Sequence, residues 1–159
     1  MLKPSVLWGR FHADGSHGYP QNYVKALELY HRAADLGHAV AYFNIGFSYQ
    51  VGRGVESDTK KAIHYYELGA VKGDVNARFA LGMLEGEEGS LDRALKHYMI
   101  AIEGGDKDSL QGIKQFYSDG YATKEVYTEA LRSYQEYLDE IKSEQRDAAA
   151  AANADWKYY

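Results

Sequence analysis

Apolar residues in this chain return every three or four positions, in short blocks that end at glycine. From Tyr23 to Leu36 the stripe is Ala26, Leu29, Tyr30, Ala33 and Ala34, and Gly37 follows. That spacing predicts an amphipathic helix with a glycine stop. From His38 to Gln50 the stripe is Ala41, Ile45, Gly46 and Tyr49; from Lys60 to Lys72 it is Ala62, Tyr65, Tyr66, Gly69 and Ala70. Further helices are predicted from Val75 to Gly86, Leu91 to Glu103 and Lys107 to Tyr117. A long last one is expected to run from Thr123 to about Ala151. Asn22, Asp58, Asp74, Ser90, Asp106 and Thr123 stand where N-caps are needed, because their side-chain oxygens can accept from free N–H groups of a first turn. The first 22 residues are less regular: a short helix from Ser5 to Phe11 is expected, then turn formers from Asp14 to Pro20.

The blocks repeat. Lys25-Ala26, Tyr30, Ala34, Gly37, Ala41 and Ile45-Gly46 match Lys61-Ala62, Tyr66, Ala70, Gly73, Ala77 and Leu81-Gly82, each 36 positions later. The next step is 32, from Ala62 to Ala94, Tyr66 to Tyr98 and Gly73 to Gly105, with the loss falling in the turn after Gly52. A final step of 36 takes Ala94 to Ala130 and Tyr98 to Tyr134. Self-similarity at this period is the mark of tandem helix–turn–helix units, none of which can bury its apolar stripe alone. The chain divides into an irregular N-terminal segment or degenerate first helix (1–22), helical repeats (23–122), a long C-terminal helix (123–152) and an aromatic tail (153–159).

Composition narrows the function. At 45% hydrophobic and 26% charged residues the chain can bury a core. The net charge of −5, with Lys and Arg scattered among acids, sets nucleic acid aside. There is no cysteine, so neither disulfides nor thiolate metal sites nor a Cys nucleophile can form. No window is apolar enough for a transmembrane helix, and no signal-peptide pattern opens the chain. The absence of cysteine and of a signal peptide favours the cytoplasm or another reducing compartment. The six histidines form no i,i+4 pair beside a carboxylate, so no metal site and no cofactor are expected. Gly52-Arg53-Gly54 lacks the preceding strand that a dinucleotide loop needs, and reads as a turn between helices.

The run Ala41-x-x-Asn44-Ile45-Gly46-x-x-Tyr49-x-x-Gly52-x-Gly54-Val55-x-x-Asp58-x-x-Lys61-Ala62-x-x-Tyr65-Tyr66-x-x-Gly69-Ala70-x-x-Gly73 resembles a Sel-one-like repeat, a relative of the tetratricopeptide repeat. The period of 36 and the Gly-x-Gly-Val turn favour the former over the tetratricopeptide unit of about 34 residues. Looser units flank it. By this pattern the first has Gly9-Arg10, and the last Ile113-Lys114, where Leu-Gly belongs. The resemblance implies an all-α, right-handed α/α solenoid of three to four repeats with a C-terminal capping helix. It implies a concave face that binds a protein or peptide, as an adaptor or a subunit of a larger hetero-complex. Enzymes in the family belong to a disulfide-stapled branch that a chain without cysteine fits poorly.

By analogy with the tetratricopeptide groove, first-helix positions two and five residues either side of the Leu/Ile line the concave face. These are Val40, Phe43, Phe47 and Gln50; Asn76, Phe79 and Met83; Asp108, Gln111, Gln115 and Ser118. Asn44 offers an amide to a ligand backbone, or holds neighbouring helices together. The aromatic members suit an amphipathic helix or extended peptide, or else pack between helices. No Lys or Arg stands at these positions, which speaks against a clamp for an acidic chain end. Along the last helix, Tyr127, Leu131, Tyr134, Leu138 and Ile141 make a seam of alternating four and three. It serves as a cap on the preceding helices or a docking seam for another chain. Trp156, Tyr158 and Tyr159 belong to the tail, and with Tyr19 and Tyr121 stand outside the repeat as contact candidates. The competing function is a helical-repeat enzyme or small-ligand binder with a pocket between repeats.

Overall fold

A computed structural model describes residues 5–156, with side-chain surroundings from 5 to 151. The described residues form eight helices and no strand: α1 (Val6–Asp14), α2 (Tyr23–Asp35), α3 (Ala39–Val51), α4 (Thr59–Val71), α5 (Val75–Glu87), α6 (Leu91–Glu103), α7 (Lys107–Ser118) and α8 (Lys124–Trp156). Each helix packs on the next in sequence, and contacts between α3 and α5, α5 and α7, and α6 and α8 bind one unit to its neighbour. The result is an all-α helical-repeat solenoid closed by one long helix.

Local chemistry sets the helix ends. Asn22, Asp58, Asp74 and Asp106 accept from the backbone N–H of Lys25, Lys61, Ala77 and Ser109 at 2.9, 3.0, 2.8 and 2.7 Å. Ser90 departs from the expected pattern and makes no side-chain cap bond. Its ψ of 63° lies outside the extended range of the other caps, so its hydroxyl is not aimed at the first turn. At the other ends, the same closing pair recurs. Gly37, Gly73 and Gly105 donate to Ala34, Ala70 and Ile102, while His38, Asp74 and Asp106 donate to Ala33, Gly69 and Ala101. These are the paired bonds that satisfy a helix's last carbonyls.

Asp74 is buried, and burial pushes its carboxyl above the ordinary range, opposed by the N–H groups of Ala77 and Asn76. A raised folded-state value means that ionising Asp74 subtracts stability as pH rises through it. Asn keeps the cap acceptor without the charge. Asp74→Ala is therefore expected to lose about 1–2 kcal/mol at neutral pH, while Asp74→Asn matches or exceeds the parent. Urea denaturation of both variants at pH 7 measures the difference, and an Asn variant as weak as the Ala variant would count against it.

The core is a series of tyrosines seated on glycines. Tyr30, Tyr66 and Tyr98 are 4%, 0% and 5% exposed. Each ring lies where a Cβ on the facing first-helix glycine, Gly9, Gly46 or Gly82, would overlap it. For Gly46 the clash with Tyr66 would be at 2.6 Å. Gly9 therefore fills the role that a strict 36-residue step assigns to Arg10. The connection between Gly9 and Tyr30 is one residue longer than that between Gly46 and Tyr66, which hides the equivalence. In the last unit Lys114 replaces the glycine, and Tyr134 stays only half-buried.

The first and last helices both outrun expectation. α1 continues to Asp14 and closes on Gly15 at φ 65°. Tyr19 folds back onto Trp8 and His12, with ring centroids 5.7 and 5.0 Å away. That gives the first helix an apolar face and makes Tyr19 a packing residue. α8 runs to Trp156 because its Ala-rich end favours helix and neither Gly nor Pro interrupts it.

Candidate functional site

Three helices and one turn enclose a cleft of about 240 Å³. α1 contributes Arg10, Ala13 and Asp14; α2 contributes Tyr23, Ala26 and Tyr30; α3 contributes Phe43, Asn44, Phe47 and Ser48; the turn contributes Arg53. Phe43 and Phe47 are one helical turn apart and stack with centroids separated by 6.4 Å. Phe43 also lies 5.8 Å from Tyr66, and both phenylalanines lean on the core of the second unit. These two residues thus pack between helices and also line the cleft.

The turn is rigidly placed. Gly52 and Gly54 have φ of 74° and 76°. The N–H groups of Gly52 and Arg53 both donate to the Ser48 carbonyl at 2.9 Å. This holds the Arg53 guanidinium 5.2 Å from the Tyr23 ring centroid and 5.3 Å from that of Phe47, a cation–π arrangement with both. Burial raises the Tyr30 hydroxyl above its ordinary range; the Asp14 carboxylate adds to this and Arg10 opposes it. Arg10 and Asp14, both exposed, thus line the cleft near Tyr30.

The remaining first-helix candidates do not converge here. Val40 is exposed beside Val6, Leu7 and Arg10 in a separate shallow recess. Gln50 accepts the Tyr66 hydroxyl at 2.5 Å and so is tied into the core. Phe79 packs on Tyr98 with centroids 5.8 Å apart, while Asn76 and Met83 are exposed. Gln111 is exposed, and Gln115 is engaged with Asp119 at 3.0 Å. Sequence reasoning missed Arg10, Asp14, Tyr23 and Arg53. Counting from the Leu/Ile of a first helix reaches neither the inter-helix turn nor the adjacent unit, so the cleft's two arginines escape it.

α8 docks through part of its heptad seam, Tyr127 and Tyr134, together with residues beside it. Val126, Tyr127, Ala130 and Tyr134 join the core around Tyr98, Ile102 and Ile113, and the Tyr137 ring covers Gly105. Leu131, a seam residue, is 44% exposed. At about 3.6 residues per turn Leu131 falls at the edge of the arc that runs from Val126 through Tyr137, Ala130 and Tyr134 to Tyr127, so it is the seam residue left outside. Leu138 and Ile141 are half-buried. Tyr121 sets its ring edge-on to Phe116 yet is 59% exposed. The Trp156 side chain, Tyr158 and Tyr159 lie outside the described residues. Among the described residues no cluster of three His, Asp or Glu is placed to hold a metal ion, and no helix is long and apolar enough to cross a membrane.

Known proteins share this architecture. The family model for the Sel1 repeat matches residues 6–38, 39–74 and 75–106. Chitin synthase regulatory factor 3 of Schizosaccharomyces pombe is 35% identical over 78 residues, 49% of this chain and 8% of that protein. A Sel1 repeat protein from Oxalobacter formigenes superposes with a TM-score of 0.66 at 29% identity, over 87% of this chain and 56% of that one. A protective antigen of uropathogenic Escherichia coli with an SLR fold gives a TM-score of 0.70 at 25% identity, over 82% of this chain and 29% of that one. The chain thus spans only part of the length of each. Three tandem matches over most of α1 to α6, on a fold shared with two solved repeat proteins, place this chain in the Sel1 repeat family.

Proposed function

We propose that this protein is a non-catalytic interaction scaffold that holds a peptide or helix of a partner protein against its first-helix face, as an adaptor or a subunit of a larger assembly. The observation that carries the proposal is the cleft where Phe43 and Phe47 present ring surface beside Asn44, under an arginine held by the Gly52–Gly54 turn. At about 240 Å³ it is smaller than the roughly 300–1,000 Å³ usual for small-molecule sites and suits the anchoring side chain of a peptide. Family membership and the regulatory-factor relative support the same reading. The test is affinity capture with the intact chain beside Phe47→Ala, with helicity checked by circular dichroism. Partners recovered by the parent should be lost or strongly reduced with the variant. Equal recovery by a folded variant would remove the cleft from consideration.

A further inference from the structure

We infer that the segment taken by this cleft is acidic: an apolar anchor side chain rests on Phe43 and Phe47 while a neighbouring Asp or Glu carboxylate is gripped by Arg53. This rests on the scaffold reading above and specifies its ligand. Charge distribution is the first argument. The whole chain carries 23 acidic and 18 basic residues, yet the cleft sets two guanidiniums, Arg10 and Arg53, against one carboxylate, Asp14. Among the described residues neither arginine forms an ion pair; the pairs present are Lys25–Glu28, Lys61–Asp58 and Arg93–Glu85. Asp14 stands one helical turn from Arg10 and offsets it, which leaves Arg53 as the stronger anion site.

Geometry is the second argument. Arg53 rests on two aromatic rings. A guanidinium so placed spends its face on the rings and keeps its N–H fork for a planar partner, and a carboxylate matches that fork bidentately. The turn sets the position of the Arg53 backbone and the two ring contacts restrain its guanidinium, which lowers the side-chain freedom lost on complex formation. The Asn44 amide lines the same cleft, where it can pair with an extended peptide backbone.

The test uses short randomised peptides displayed on phage and selected on the immobilised full chain, followed by fluorescence polarisation on the enriched sequences. Enriched peptides should carry Asp or Glu beside an aromatic or Leu residue. Arg53→Gln should weaken them about tenfold, as should Asn or Gln in place of the peptide acid, with no further loss when both changes are combined. Neutral or basic peptides that bind the parent and are lost on Phe47→Ala would overturn the acidic ligand while leaving the scaffold reading intact. Absence of any peptide sensitive to Phe47→Ala would overturn both.

Discussion

Tyr66→Ala is expected to lower the stability of the chain by about 3–5 kcal/mol. Typical domains hold only about 5–15 kcal/mol in total, so this one change should leave the array marginal at room temperature. Tyr66 is fully buried; its ring lies against the space that Gly46 leaves open and 5.8 Å from Phe43. Truncation opens a cavity between α3 and α4 that helix backbones cannot collapse to fill, because Gly46 already lets them approach as closely as they do. The hydroxyl adds a second term. It donates to Gln50, and burial pushes its pKa well above the ordinary tyrosine range, so it remains a neutral donor. Tyr66→Phe should therefore lose only about 1–2 kcal/mol, the cost of an unpaired Gln50. Urea denaturation at pH 7 separates the two. An Ala variant within about 1 kcal/mol of the parent would show that the ring is not the wedge between these helices.

The second large effect is at Gly54. An alanine there would adopt φ near 76° and bring its Cβ against the Tyr23 carbonyl group, 2.6 Å from the carbon, and 2.9 Å from the Val24 nitrogen. Left-handed backbone costs about 1–2 kcal/mol for an L-residue, and forced overpacking about 1–3 more. The clashing atoms are backbone at the start of α2, so relief requires moving a helix rather than turning a side chain. Gly54→Ala should thus destabilise by about 2–5 kcal/mol. Gly73→Ala is the control: its φ is 88°, but nothing stands within 4 Å of the added carbon. It should lose only the backbone share of about 1–2 kcal/mol. Thermal denaturation of the pair isolates the contact, and equal losses would refute it. Because the same turn holds Arg53 over Phe47, the Gly54 variant should also weaken any acidic peptide bound in the cleft.

Much of this architecture is legible in one sequence. Asp58, Asp74 and Asp106 announce helix starts because a cap needs only an oxygen three residues ahead of a free N–H. Gly37, Gly73 and Gly105 announce stops for an equally local reason. The matched Tyr66 and Tyr98 expose the unit length, since each unit must repeat the same wedge to stack on the next. Where the connection changes length the signal blurs: one extra residue between Gly9 and Tyr30 made the first unit look as though it lacked its glycine.

The candidate site was half legible. Phe43 and Phe47 were reached by counting along one helix and Asn44 as the amide beside Ile45, and the structure sets all three in one cleft. Gln50 was reached by the same count and belongs to Tyr66 instead, because its reach is decided by the helix opposite.

What the sequence determined by itself is therefore what depends on neighbours along the chain: the helices, their ends and the period at which the units repeat. Only the tertiary structure decided which side chains meet across units. It carried Arg53 from a turn onto two rings of different helices and brought Arg10 and Asp14 to the same cleft. It also turned α8 so that Val126, Ala130 and Tyr137 meet the array beside the seam residues Tyr127 and Tyr134, while Leu131 is left exposed. The reason is geometric. Periodicity specifies the face a helix offers, but the angle and offset at which the next helix arrives fix the residues that converge, and those come from packing of the whole stack.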